Sequence, residues 1–117
     1  MRRALVAGFL AIALGAAPAS ADPVEATVNI EKRKVVGERV IRVKQGDEVT
    51  LRFNTDEIVE LHLHGYDIER EAKPGSGATM SFNARATGRF PVTSHGFGGH
   101  SHGHHESALF YIEVHPR

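Results

Sequence analysis

Eleven consecutive residues, "HGFGGHSHGHH" from His95 to His105, contain five imidazoles and four glycines. The histidines are His95, His100, His102, His104 and His105. Neutral imidazole is a good ligand for copper(II), zinc and nickel, and copper(II) binds nitrogen donors most tightly of the three. The glycines let the backbone fold around an ion with little steric strain. A tract this rich in histidine reads as metal binding on composition. The bland alternative is a solvated linker that takes up metal only as an affinity tag does. A second pair, His62 and His64 in "VELHLHGYD", stands at i and i+2. On an extended strand both rings leave the same face, so they could serve one ion or two adjacent ones. A polar strand face turned to solvent would show the same spacing. Glu60 and Glu106 flank the two groups and could add a carboxylate, whereas His115 reads as an incidental surface residue. The expected metal ligands are therefore His62, His64, His95, His100, His102, His104 and His105.

Other chemistry is poorly provided for. The chain has no cysteine, so it has neither a disulfide framework nor a thiolate ligand. Ser94 and His95 are neighbours on an expected strand, which points their side chains apart, and no G-x-S-x-G surrounds them. No H-E-x-x-H occurs. Three imidazoles around an ion with an open position would support hydrolysis by a metal-bound water. Nothing else marks a substrate pocket, so no enzymatic activity is expected.

The elements that must carry these donors follow a leader. "MRRALVAGFLAIALGAAPASA" combines two arginines, an apolar run from Ala4 to Ala17 and an Ala-Ser-Ala site. Residues 1–21 therefore read as a secretory signal peptide cleaved after Ala21, which places the protein in the periplasm or outside the cell. The run is shorter than the roughly 20 residues of a membrane span. No membrane association is expected once it is removed. The remaining 96 residues carry 12 basic and 14 acidic side chains, without the basic surplus that nucleic-acid binding requires. The expected partner is a transition-metal ion; no protein partner is indicated.

Residues 22–117 alternate like β structure. In "ATVNIEKRKV" (26–35), a first candidate strand, Val28 and Ile30 share a face; Ile41 and Val43 share another, then Val49, Leu51 and Phe53 a third. Gly46-Asp47 marks a reversal between the last two runs. "IVELHLHGYDIERE" (58–71) opposes Val59, Leu61 and Leu63 to Glu60, His62 and His64. "ATMSFNA", "RFPVTS" and "SALFYIEV" follow, separated by turns and by the His-rich loop at 95–105. Pro91 cannot donate to a ladder, which predicts an edge strand or a bulge there. About seven strands with regular turn signals predict an all-β sandwich.

Four stretches in order, "VKQGDEVTLRF", "ELHLHGYDIE", "ATGRFPVTSH" and "ALFYIEV", resemble the cupredoxin family. The variant with "LHLHGYD" and "GRFPV" is similar to the cysteine-free, EfeO-type cupredoxin-like domains of bacterial exported proteins. The resemblance implies a Greek-key β-sandwich spanning roughly Val35 to Val114. It puts His62 at the family's first histidine ligand, Ser94 at its cysteine ligand and Ala108 near its axial methionine. One of His100, His102, His104 or His105 would stand for the loop histidine. Without thiolate or thioether, blue-copper electron transfer is not expected. The expectation is instead an imidazole site for copper, with zinc or nickel possible, at one end of the sandwich. Its role would be sequestration, delivery or tolerance. A metal-free interaction module and a small copper-dependent redox enzyme are the rival readings.

Overall fold

The computed structural model describes residues 22–99 and 107–117. The leader expected at 1–21, and Glu106 with four of the expected ligands (His100, His102, His104 and His105), lie outside the described residues. Among the described residues no helix is long and apolar enough to cross a membrane. The described residues form nine strands: β1 Pro23–Glu31, β2 Lys34–Val35, β3 Val40–Lys44, β4 Glu48–Thr55, β5 Val59–Leu63, β6 Ile68–Ala72, β7 Ala78–Asn83, β8 Gly88–His95 and β9 Ser107–His115. They assemble into a four-stranded sheet, β2-β1-β4-β7, packed on a five-stranded sheet, β3-β9-β8-β5-β6. Two pairs, β1 with β4 and β3 with β9, are parallel. The remainder are antiparallel, as expected of a Greek-key β-sandwich.

The alternation read from the sequence is the alternation that builds the core. Val28, Ile30, Val49, Leu51, Phe53, Val59, Leu61, Leu63, Met80, Phe82, Phe110, Ile112 and Val114 are all buried. With period two, burying Leu61 and Leu63 obliges Glu60, His62 and His64 to leave the opposite, outer face of the five-stranded sheet.

Two local expectations are corrected, and one is met by the second of its alternatives. Two strands become four, because two tight turns lack strong turn signals. Lys32 and Arg33 both adopt left-handed φ, 51° and 66°, in the two-residue connection between β1 and β2. Gly65 and Asp67 reverse the chain between β5 and β6, within the run read as one strand. Second, the reversal at Gly46-Asp47 does not join paired strands. It carries the chain from β3 in one sheet to β4 in the other. The corner is held by the Asp47 carboxylate, which accepts from the Lys44 N–H at 2.9 Å and pairs with the Arg117 guanidinium. At Pro91 the expectation is an edge strand or a bulge, and the structure has the bulge: Pro91 lies on β8, which is internal to its sheet. Its carbonyl accepts from the His64 N–H, and the ladder to β5 stops at Leu63–Val92. A residue's N–H and C=O leave the same side of a strand, so the missing donor faces the place where β5 ends. The bulge follows immediately, between Val92 and Thr93.

Candidate metal centre

The β5–β8 register decides which donors meet. Glu60 pairs with His95, Leu61 with Ser94, His62 with Thr93 and Leu63 with Val92. Paired residues share a face, so His62, Glu60, His95 and Thr93 all project from the outer face. His62 and His95 are diagonal neighbours, with backbones about 7–8 Å apart. On the other side of β5, His62 pairs with Glu69 and Glu60 with Glu71. The Glu69 carboxylate lies 4.0 Å from His62 Nδ1. Glu60, Leu61, His62, Glu69 and His95 line a shallow pocket of about 120 Å³. Two imidazoles and two carboxylates thus border one small concavity.

His64 behaves differently. One pair step beyond His62, it is also one step further from His95. Its Nε2 is hydrogen-bonded to the hydroxyl of the buried Thr93 at 2.9 Å. The His62 and His64 rings are in contact in a tilted stack, with centroids 3.9 Å apart and planes inclined by 38°. Ring lone pairs lie in the ring plane, so two stacked imidazoles do not aim at one ion. The pair at i and i+2 is a stack, and His62 is the member that borders the pocket.

Past His95 the chain enters a short 3-10 turn, Phe97–Gly99. The Gly98 N–H donates to the Ile58 carbonyl at 2.8 Å, tying this turn to the start of β5. A second depression of about 180 Å³, lined by Ile58, Glu60, Glu71, Gly96 and Gly99, adjoins the first through Glu60. His95 is therefore the last residue of β8 rather than part of a loop. The donors stand on the outer face of the sheet near the end of β8, rather than at the rim of the sandwich. His115 is exposed, on the far end of β9, and its Nε2 lies 3.2 Å from Glu113 Oε1.

A blue-copper ligand set does not fit this arrangement. Ser94 is buried and shares the inner face with its partner Leu61, whereas His62 is on the outer face. The two positions carried over from the family therefore cannot serve one ion. Ala108 pairs with Thr93 and offers only a methyl. Among the described residues no group of three histidine or carboxylate donors converges closely enough to hold an ion. The donors that border one pocket are His62, His95, Glu60 and Glu69. Glu69 escaped the sequence reading because it faces His62 only once the turn at Gly65–Asp67 is recognised.

No family model and no curated protein sequence matches the chain. Solved structures do. A heme-copper terminal oxidase aligns with a TM-score of 0.66 at 21% identity, over 80% of this chain and 65% of that one. A copper binding protein solved in its apo form aligns at 0.59 and 10%, over 79% of this chain and 87% of that one. The blue copper oxidase of Nitrosomonas europaea aligns at 0.57 and 18%, over 82% of this chain and 40% of that one. This chain thus spans less than two thirds of either oxidase. At such identities the likeness is one of fold, and the fold is the cupredoxin-like Greek-key β-sandwich.

Proposed function

We propose that the protein is an exported metal-binding protein that takes up copper(II) through His62 and His95, on the outer face of the five-stranded sheet. Glu69 and Glu60 serve as carboxylate ligands or as hydrogen-bond partners of the imidazoles, and histidines from 100–105 complete the coordination. The role is sequestration, delivery or tolerance, without catalysis. The β5–β8 register carries the reading, because it sets two distant histidines diagonally across one pocket beside two carboxylates. Solved copper proteins of the same fold support copper over zinc or nickel. Imidazole and carboxylate donors suit a tetragonal copper(II) centre without the intense thiolate colour.

Copper(II) titration followed by electron paramagnetic resonance tests the reading. One tetragonal, nitrogen-rich signal saturating at a fixed stoichiometry is expected. A metal-free interaction module is the second reading, favoured by the lack of a converged donor triad among the described residues. It predicts weak uptake with a broad, heterogeneous signal.

A further inference from the structure

The connection between β1 and β2 contains a conflict between residue type and conformation. Both residues of this two-residue turn, Lys32 and Arg33, sit at positive φ. Such turns favour Asn-Gly or Gly-Gly, because a side chain in the left-handed region costs about 1–2 kcal/mol. An arginine kept where glycine is preferred implies work for its side chain. Arg33 forms a two-pronged bridge to Glu57, with Nε to Oε2 at 3.0 Å and Nη2 to Oε1 at 3.1 Å. Its guanidinium carbon also stands 5.5 Å from the centroid of the Phe97 ring. The neighbouring Lys32 N–H donates to the Asp56 carboxylate at 3.0 Å. One arginine therefore joins three segments: the β1–β2 turn, the β4–β5 connection and the 3-10 turn that begins two residues after His95.

We infer that Arg33 is a positioning residue for His95. The inference rests on the copper reading above. His95 is the last residue of β8, and it is held by its pairing with Glu60 and by the turn that follows. Among the described residues, that turn is fixed against the sheet by the Gly98–Ile58 hydrogen bond and by the Phe97 ring. Glycine at 96, 98 and 99 gives its backbone unusual freedom. Planar guanidinium suits both contacts, forking onto a carboxylate and lying over an aromatic ring. Lysine could not make both.

Arg33→Gly separates this role from a purely structural one. Glycine relieves the left-handed backbone, and the lost bridge is solvent-exposed, so thermal stability should stay within a few degrees of the parent. In the metal-free protein, hydrogen exchange at the Gly98 amide should accelerate about tenfold while core amides of β4 and β8 stay unchanged. Copper(II) affinity should fall about tenfold, the scale of losing an outer partner of a metal ligand. Phe97→Ala, which leaves the Glu57 bridge intact, should do the same. Unchanged Gly98 exchange in Arg33→Gly overturns the inference whether or not copper binds. Accelerated exchange with copper affinity within twofold of the parent also overturns it. A parent protein that takes up no stoichiometric copper, with Gly98 exchange still accelerated in the variant, fails the copper reading and with it a ligand-positioning role.

Discussion

Replacing His62 with alanine is expected to weaken copper(II) binding by about tenfold or more, and His95→Ala should cost as much. His64→Ala should cost clearly less, because that ring is engaged with Thr93 and stacked behind His62 rather than bordering the pocket. Isothermal titration of the three variants checks this ranking; equal losses at all three would show that the stack itself ligates. Protons compete with the metal for imidazole, so copper should be released as pH falls below about 6. The Glu57 carboxyl is held below its ordinary range, chiefly by the hydrogen bond from Arg33, with burial opposing. A depressed carboxyl contributes its stability above the unfolded value and loses it as pH falls through the lower folded one. The Arg33 bridge therefore survives mild acidification. Acidification from pH 7 to 5 should release copper with the fold intact, as paramagnetic resonance and circular dichroism on one sample would register.

Among the elements, the β5–β6 turn matters most for the site, since it sets Glu69 opposite His62. Gly65 stands there at φ 90°, and a Cβ on it would lie 2.5 Å from a Phe90 ring carbon. Gly65→Ala should destabilise the protein by about 2 kcal/mol, from the backbone and the clash together. A urea transition unmoved by the change would mean that the turn yields easily. The strands themselves were legible: every second residue from Val49 to Phe53 and from Val59 to Leu63 is apolar and buried. The turns were less so. Lys-Arg at a left-handed turn carries no compositional signal, and "HGYD" hides its reversal inside an alternating run. Pairing was illegible at Gly46-Asp47, because a reversal looks the same whether the strands pair or cross between sheets. His62, His64 and His95 could be named as candidate donors from spacing and composition. Their meeting in one site was an expectation from the family resemblance; that His62 and His95, and not His64, line one pocket depends on the long-range β5–β8 register, which local spacing does not encode.

At the scale of the molecule, the two sheets are pinned at a corner by Asp47. Its carboxylate accepts from the Lys44 N–H and pairs with Arg117, which also reaches Asp22 at 3.6 Å. The cluster ties the start of β1, the β3–β4 crossover and the end of the chain together. Asp47 is 4% exposed, so Asp47→Ala leaves a half-buried guanidinium and the Lys44 N–H without their partner. A loss of about 2–4 kcal/mol in unfolding free energy is expected, with copper affinity at neutral pH unchanged. This independence follows from the division of the fold. The corner secures the crossover between sheets, while the candidate centre occupies the outer face of one sheet, on β5, β6 and β8.

The account's central claim is that His62 and His95 hold one ion between them. Zinc titration of protein carrying nitrogen-15 histidine, followed by imidazole nitrogen resonances, tests it most directly. The resonances of His62 and His95 should shift together and saturate at one common stoichiometry, with His64 moving less. Saturable shifts confined to the histidines of 100–105, with His62 and His95 unmoved, would contradict it.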